Sequence, residues 1–492
     1  MTTIDKTNDA PRVPHPRAFF GHPAGLANLA GVEMWERFSF YGMQAILAFY
    51  LYYSVTEGGL GMEQSAAVSI VGAYGGLVYL SAILGAWVAD RLFGAERTLT
   101  GGAVLIMFGH IALAVLPGFI GVGIGLVCVA LGSGTLKATS SSVLGDMYDE
   151  TDERRDGGFS IYYMGVNLGA LLGPLVTGAL WGWRGFHWGF GAAAVVMAVG
   201  LLQYLLLRRA TIGDIGKVPS NPLPPEQRLR YFGSAGLVVV LIAVLAVTGV
   251  LHAENLSTVV ALVTVAAAVI LFGVILSSKR ITDQERSRVI SFIPMFIASA
   301  TFWSLFQQQF TVIAVYSDQR LNRNIFGFEM SPAWVNSINP IFIIIFAGVF
   351  AAIWTRLGAR QPSTPLKFAA GTFIMGIAFL LFIPYAGGGP NSTPLLWIVL
   401  ILFFFTMAEL FLSPVGQSLA TKLAPRAFHT QMIALFFLSV AIGSSVAGAV
   451  STRYDPQNEV PYFLILGGIS VAVAVVMVVL NPWIKKKMAG VR

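Results

Sequence analysis

The sequence predicts an all-α membrane protein that crosses the bilayer many times, and its composition is the first observation that predicts this fold class. Of the 492 residues, 56% are hydrophobic and only 11% are charged. A soluble surface needs about 25–35% charged residues, so most of the surface of this chain must face lipid. The same composition excludes disordered, coiled-coil and disulfide-rich secreted proteins.

Apolar stretches long enough to cross the bilayer are the second observation. A transmembrane helix needs about 20 apolar residues, and fourteen stretches of the chain reach this length. They lie near residues 24–53, 65–92, 97–117, 119–147, 157–181, 186–208, 231–251, 257–277, 288–316, 331–357, 365–386, 392–421, 428–450 and 460–483. Several exceed the minimum length, which predicts tilted or kinked helices.

The positions of Lys and Arg are the third observation, because these residues concentrate in cytoplasmic loops. Most of the 31 basic residues fall near the two termini and in every second loop. The loops of the opposite side contain only Arg184, Arg320, Arg323 and Arg453. This distribution predicts an even number of spans with both termini in the cytoplasm, and it explains the net charge of +7 without a nucleic-acid partner.

A proline-rich segment divides the chain after the sixth span. It contains Pro219, Pro222 and Pro224, and we interpret it as a cytoplasmic linker. The predicted parts are an N-terminal cytoplasmic tail at 1–23, a six-helix bundle at 24–208, the linker at 209–230, an inserted transmembrane hairpin at 231–277, a second six-helix bundle at 278–483 and a basic cytoplasmic tail at 484–492. Two such bundles around a central site are typical of many secondary transporters, and we expect the apolar hairpin outside this core.

Charged residues inside the first span are the strongest sign of function. A charge near the bilayer centre costs at least about 2.5–3.5 kcal/mol, yet this span contains Glu33, Glu36 and Arg37. At about 100° per residue, they lie on one side of the helix with Tyr41 and Gln44. Glu33 and Arg37 are four residues apart and can pair, which by itself would make an internally neutral structural clamp. The additional carboxylate favours the functional interpretation, a proton-coupled carrier.

Two later spans contain one buried charge each. Lys137 lies in the fourth span, too deep to reach either surface easily, so we expect it to face a polar interior. Glu409 lies in the twelfth span, one turn before Ser413 and Pro414. Because proline removes a helix hydrogen bond, the helix is predicted to bend beside Glu409. We therefore interpret Glu409 as a binding group next to a hinge.

Other polar residues recur at membrane depth. Any one of them alone is more often a contact between helices than a ligand contact, but together with the charges they indicate a binding site. They are Tyr79, Tyr162, Tyr163, Asn167, Trp303, Gln307, Asn336 and Asn339. No metal-binding histidine pair, phosphate-binding loop or Gly-x-Ser-x-Gly motif occurs, and the single Cys128 excludes an internal disulfide. We therefore expect no metal, no cofactor besides a coupling proton, and no enzymatic activity.

Five motifs resemble those of the proton-dependent oligopeptide transporter family, the peptide transporters of the major facilitator superfamily. They are Glu33-x-x-Glu36-Arg37-Phe38 followed by Tyr41-Gly42-Met43, the loop from Gly85 to Arg97, the stretch from Phe159 to Gly169, Ser337-Ile338-Asn339-Pro340, and Glu409-x-x-x-Ser413-Pro414-x-Gly416. The matches cover nearly all of the chain outside the tails and linker. The inserted hairpin also fits, since bacterial members of the family contain two additional helices there.

The resemblance implies a V-shaped, twelve-helix major facilitator core that imports di- and tripeptides with protons by alternating access. It also implies a role for each matching residue. The peptide amino terminus would contact Glu409, Asn167 and Asn339, and the carboxylate end and backbone would contact Tyr41, Tyr79 and Lys137. Trp303 and Phe436 would line side-chain pockets, while Glu33, Glu36, Arg37, Lys137 and Glu409 would couple protons to closure. Gln44, Tyr163, Gln307 and Ser413 complete the predicted substrate site.

Two positions depart from the family pattern. Family members usually have an arginine where this chain has Gln44, and an acid where it has Gln307. Since both losses are of opposite charge, the net charge of the cavity is unchanged. Our hypothesis is that the two amides form a hydrogen bond in place of an ion pair, which avoids the cost of desolvating two charges. Carboxylate recognition would then depend on Lys137 alone.

Three other functions remain open at the level of sequence. The chain could carry another small metabolite or an anion, and competition of uptake by dipeptides, amino acids or nitrate would separate this function from peptide transport. A polytopic membrane enzyme would need a catalytic dyad near a membrane surface, whereas these charges lie at mid-depth. A receptor would bind peptide without moving protons. The expected partners are a peptide and the lipid bilayer, and the expected unit is a monomer in the cell membrane.

Overall fold

The computed structural model describes residues 19–149, 152 and 154–491, and this part of the chain is almost entirely helical. Residues 1–18, most of the predicted N-terminal tail, lie outside the described residues. The helices are α1 (Ala24–Tyr52), α2 (Gln64–Val88), α3 (Ala95–Val115), α4 (Gly118–Gly145), α5 (Arg155–Arg184), α6 (Phe186–Thr211), α7 (Pro225–Val247), α8 (Leu256–Ser277), α9 (Asp283–Phe306), α10 (Val312–Gln319), α11 (Ile338–Leu357), α12 (Thr364–Leu380), α13 (Leu395–Lys422), α14 (His429–Ser451) and α15 (Glu459–Lys487). A two-stranded hairpin, β1 (Asn324–Ile325) and β2 (Phe328–Glu329), lies between α10 and α11.

The prediction of a polytopic all-α protein with fourteen spans is confirmed. Thirteen helical segments of the described chain are long and apolar enough to cross a membrane, and α9 and α10 count among them as one segment from Asp283 to Gln319. The fourteenth is α1, which has 29 residues and contains the three charged residues noted above.

The ends of several helices lie outside the predicted bounds. Helix α7 begins at Pro225, inside the predicted linker, because proline is favourable in a first helical turn. Helix α9 begins at Asp283, where Thr282 and Glu285 form a capping box that satisfies free backbone N–H groups. Helix α15 continues to Lys487, through part of the predicted basic tail, because lysine is a good helix former outside the hydrocarbon.

The helices of the first half, α1 to α6, pack mainly on one another, with α1 against α5 and α6, and α3 against α4 and α6. In the second half, which consists of α9 to α15, α12 packs on α13 and α15, and α14 packs on α9. The two halves meet most closely where α2 crosses α14. There, a Cβ atom added to Gly72 would lie 2.3 Å from the Cα atom of Gly448. The backbones touch at this crossing, which requires glycine on both helices.

The inserted hairpin α7–α8 lies at the side of the helix bundle. Helix α8 packs on both α2 and α14, and the hydroxyl groups of Ser69 and Ser257 are 3.0 Å apart. Helix α7 has no buried residue. Its apolar side chains therefore face the region where lipid would lie.

The segment between α6 and α7 is docked on the loop between α2 and α3. The backbone N–H of Asn221 donates to the carbonyl of Asp90 at 2.9 Å, and that of Leu223 donates to the carbonyl of Arg91 at 2.8 Å. The side chain of Leu223 is buried. This part of the predicted linker is thus fixed to the first half of the protein.

The molecule has an inner end and an outer end. The inner end contains the beginning of α1 and the end of α15, and the outer end contains the end of α1. Near the outer end, the indole N–H of Trp334 donates to the carbonyl of Leu175 at 3.0 Å, and Ser337 Oγ donates to the carbonyl of Leu171 at 2.8 Å. These bonds join the segment before α11 to α5, so the two halves contact each other there.

Candidate functional site

A cavity of about 280 Å³ lies between the two halves of the protein. It is lined by α1, α2, α4 and α5 from the first half and by the α9–α10 segment, α11, α13 and α14 from the second half. All but one of the predicted site residues line it, namely Glu33, Arg37, Tyr41, Gln44, Tyr79, Lys137, Tyr163, Asn167, Trp303, Gln307, Asn339, Glu409, Ser413 and Phe436. The exception is Glu36.

Access to the cavity is from the inner end. Tyr163, a cavity residue in the inner half of α5, is 43% exposed. The outer end is closed by the contacts between α5 and the segment before α11. The structure therefore represents a state in which the site is open on one side only.

The charges of α1 form a compact cluster, which we call the α1 triad: Glu33, Glu36 and Arg37. Arg37 Nη2 lies 2.8 Å from Glu33 Oε1, and Arg37 Nε lies 3.1 Å from Glu36 Oε2. The ion pair predicted between Glu33 and Arg37 is thus present. The expectation that the additional carboxylate, Glu36, has no partner in the pairing of Glu33 with Arg37 is wrong, because the same guanidinium contacts both carboxylates.

Glu36 also does not face the cavity as predicted. Its side chain is fully buried, and its Oε1 accepts a hydrogen bond from Ser133 Oγ of α4 at 2.6 Å. At about 100° per residue, Glu36 lies at the flank of the arc that contains Glu33, Arg37 and Gln44. Helix α4 packs against this flank, and so the side chain meets α4 and not the open space.

Two serines of α4 donate hydrogen bonds to the carboxylates of the triad, and they are not among the residues predicted from the sequence. Ser133 donates to Glu36, and Ser140 Oγ lies 3.1 Å from Glu33 Oε2 and 2.6 Å from the hydroxyl of Tyr162. Ser133, Lys137 and Ser140 are spaced four and three residues apart, which places them on one helix face. This spacing is the signal that could have revealed them.

Lys137 lies in the same cavity. Its Nζ is 4.1 Å from the centre of the Tyr79 ring, a distance at which a cation is attracted to the aromatic face. Among the described residues it forms no ion pair. Unlike the guanidinium of Arg37, its charge is therefore free to meet an anionic group in the cavity.

The second half supplies a negative charge to the cavity. Glu409 Oε2 accepts a hydrogen bond from Asn339 Nδ2 at 3.2 Å, and the same amide nitrogen lies 3.0 Å from Thr406 Oγ1. Asn167 of α5 donates to the carbonyl of Tyr163 at 2.9 Å. The cavity thus has Lys137 on the wall of the first half and Glu409 on the wall of the second half.

Three buried polar atoms of cavity residues have no hydrogen-bond partner among the described residues. They belong to Gln44 (Oε1), Trp303 (Nε1) and Asn336 (Oδ1). Each side chain is more than nine-tenths buried. Because buried polar groups are nearly always paired in proteins, one donor and two acceptors are available to a polar ligand.

The proposed hydrogen bond between Gln44 and Gln307 does not occur in the described part of the chain. Both side chains line the cavity, but Gln44 Oε1 is unpartnered. Gln307 begins a 3₁₀ turn at residues Gln307–Phe310, and such a turn has 3.0 residues per turn instead of 3.6. The regular α-helical spacing therefore ends at Gln307.

We expect the substitutions Gln44→Ala and Gln307→Ala to act independently. No hydrogen bond joins the two side chains. The losses in the free energy of unfolding, derived from the unfolding temperatures, should therefore add within about 0.5 kcal/mol. Thermal unfolding of the two single variants and the double variant measures this. A larger coupling energy would show that the amides interact after all.

Arg37→Ala should strongly destabilise the protein. The side chains of Arg37, Glu33 and Glu36 are only 4%, 2% and 0% exposed, so removing the cation leaves two carboxylates buried without their counter-charge. Breaking a buried pair in this way costs about 3–5 kcal/mol. Thermal unfolding of purified protein checks this, with exposed Arg97→Ala as the control. Equal unfolding temperatures for the two variants would contradict it.

Comparison with known proteins gives consistent similarities over the whole chain. The POT family matches residues 96–463. An uncharacterized transporter, YclF of Bacillus subtilis, is 42% identical over 100% of both chains. A di-/tripeptide transporter of Lactococcus lactis subsp. cremoris is 37% identical, with 97% of this chain and 98% of the relative covered. The crystal structure of a peptide transporter POT in complex with sulfate superimposes with a TM-score of 0.93 at 44% identity, covering 97% of this chain and 98% of the other.

Proposed function

Because this chain belongs to the POT family, we propose that it carries di- and tripeptides across the membrane together with protons, by alternating access of the central cavity. The single observation that carries this proposal is the placement of Lys137 and Glu409 on opposite walls of one cavity. A short peptide is a zwitterion with its two charges at opposite ends. A cation on one wall and an anion on the other match those ends.

The proposed contacts of the peptide follow from this arrangement. Its amino terminus meets Glu409 with Asn167 and Asn339, and its carboxylate meets Lys137 with Tyr41 and Tyr79. Trp303 and Phe436 contact its side chains, and the unpartnered indole N–H of Trp303 is available to a carbonyl oxygen. Gln44, Tyr163, Gln307 and Ser413 complete the wall.

We propose that protons act by neutralising a carboxylate that pairs with Arg37. In the present state, Arg37 is neutralised by Glu33 and Glu36. A proton on Glu33, which lines the cavity, would remove the net negative charge of the α1 triad and leave Arg37 paired with Glu36 alone. Since a ligand shifts a conformational equilibrium only through its different affinity for the two states, this change in the charge of the triad, together with Lys137 and Glu409, would link peptide binding to closure.

The proposed orientation places both termini in the cytoplasm. Basic residues dominate the loops of the inner end, as expected for cytoplasmic loops. In this orientation, the present state opens to the cytoplasm, where an imported peptide would be released. The proposed transporting unit is the monomer, since the whole cavity is formed by one chain.

The proposal is tested by uptake into liposomes that contain the purified protein. A labelled dipeptide should accumulate when the outside is acidic, and the lumen should acidify when peptide is added. Binding of peptide without movement of protons would instead indicate a receptor, and absence of both would refute the proposal.

A second candidate function is transport of another small anion or metabolite. It is favoured by Gln44 and Gln307, which give the cavity two amides where a charged pair is usual in the family. Competition with the labelled dipeptide by unlabelled dipeptides, free amino acids and nitrate distinguishes the two. Competition by dipeptides alone supports peptide transport, and competition by a non-peptide alone supports the second candidate.

A further inference from the structure

An acidic side chain that does not line the cavity joins the two halves of the protein at the outer end. Asp318 lies near the end of α10 and is 13% exposed. Its Oδ2 accepts a hydrogen bond from the hydroxyl of Tyr52 at 2.7 Å, and its Oδ1 accepts one from the hydroxyl of Tyr53 at 2.8 Å. Tyr52 is the last residue of α1 and Tyr53 follows it, so both oxygens of a second-half carboxylate are bound by the first half.

The second half holds Asp318 in place. Arg320, two residues further on, lies 3.3 Å from Glu459 at the start of α15 and also donates to the backbone carbonyls of Gly388 and Pro456. These contacts connect the end of α10 to three other segments of its own half. Asp318 is therefore a fixed acceptor, and any movement of the two halves apart must break its bonds to the tyrosines.

The charge of Asp318 is only loosely compensated within its own half. Arg323 Nη2 lies 3.9 Å from Asp318 Oδ1 but 3.1 Å from Glu329 Oε1. Hydrogen bonds to a charged group are stronger than those between neutral groups, so the two hydroxyls are the principal partners of this carboxylate. The neighbouring Gln319 adds a bond to Gln64 of α2 at 3.2 Å.

We propose that Asp318, Tyr52 and Tyr53 form an outer latch that stabilises the closed outer end and sets the balance between the two states of the carrier. This inference depends on the proposed alternating access. It assigns to the outer rim a function that the cavity side chains Gln44 and Gln307 do not perform, since no hydrogen bond joins those two amides. Asp318, Tyr52 and Tyr53 are positioning residues, because none of them lines the cavity.

Opening of the latch is feasible because water can replace the tyrosines. The Asp318 side chain is 13% exposed, so part of it is accessible to water. The latch therefore favours the closed state without locking it. Its loss should shift the equilibrium toward an open outer end about tenfold or more, the size of change expected when a hydrogen bond to a charged group is lost.

Distances between pairs of spin labels test the latch directly. With Cys128→Ser as background, cysteines replace the exposed residues Thr56 and Gln457 at the outer end, or Asp149 and Ala427 at the inner end. In purified full-length protein in nanodiscs, Tyr52→Phe/Tyr53→Phe should raise the ratio of long to short outer distances about tenfold. The inner distances should shorten in the same sample. No substrate is needed, so the result does not depend on which compound is carried.

Matched variants distinguish the effect of losing the latch from the effect of a disturbed fold. Tyr50→Phe is the control, because Tyr50 packs within its own half against Phe186 and Phe190 and should leave both distributions unchanged. Asp318→Asn keeps the shape of the side chain but removes its charge, and should act like the double tyrosine variant without adding to it. Outer distances equal to those of the wild type in both latch variants would overturn the proposal. Broadening of both label pairs without a reciprocal shift would overturn it as well.

Discussion

Lys137→Ala should abolish proton-driven peptide uptake. Lys137 and Arg37 both line the cavity, but Arg37 is held by two carboxylates, which leaves Lys137 as the cation available to the carboxylate of a peptide. Removing one partner of such a charge pair costs about 2–5 kcal/mol. Dipeptide binding should therefore weaken at least about thirtyfold, and accumulation in liposomes should fall to background.

The control for Lys137 is Ser142→Ala, an exposed position on the same helix that should leave uptake unchanged. The loss should appear in function more than in stability, since the contact of Lys137 with the Tyr79 ring contributes only about 0.5–2 kcal/mol. Uptake at the wild-type level by Lys137→Ala would refute the assignment of this residue to the substrate. An unfolding temperature far below that of the wild type would indicate a structural role instead.

Glu409→Gln should remove proton-driven accumulation while preserving the shape of the site. The amide oxygen of glutamine can still accept the hydrogen bond that Asn339 donates to Glu409 Oε2. What is lost is the negative charge opposite Lys137, and with it the counter-charge for a peptide amino group and a carboxylate that can take up a proton. We expect peptide binding to weaken about thirtyfold or more and accumulation to disappear.

Binding and uptake should be measured on the same preparation of Glu409→Gln. Thermal shift with a dipeptide reports binding, and liposomes with an acidic exterior report accumulation. Glu63→Gln, an exposed acid at the beginning of α2, is the charge-matched control. Accumulation by Glu409→Gln against a peptide gradient would show that this carboxylate is dispensable.

Much of the candidate site could be predicted from sequence because its members follow helical spacing. Glu33, Arg37, Tyr41 and Gln44 share one face of α1 by simple rotation, and all four line the cavity. Glu36 lies at the edge of the same arc, and its direction depended on a neighbouring helix. Helical spacing alone therefore placed Glu36 in the cavity wrongly, because the residue lies at the edge of the cavity-facing arc.

Contacts between distant parts of the chain could not be predicted in the same way. Asp318 lies 266 residues after Tyr52, and Ser133 lies 97 residues after Glu36. Which hydroxyl meets which carboxylate depends on the rotation and height of each helix relative to its neighbour. The pattern of residues along one helix does not give this rotation or this height. Gln44 and Gln307 show the same limit, because both line the cavity but no hydrogen bond joins them in the described part of the chain.

The sequence by itself determined the number of spans, their approximate bounds and the residues that carry charge into the membrane. These properties follow from apolar length and from the cost of burying a charge, which are local. Only the tertiary structure decided that Ser133 and Ser140 bind the carboxylates of the α1 triad, that Lys137 forms no ion pair with any described residue, and that Asp318 bonds to Tyr52 and Tyr53. Each of these depends on atoms of two packed helices coming within about 3–4 Å, and packing between helices is set by the whole chain.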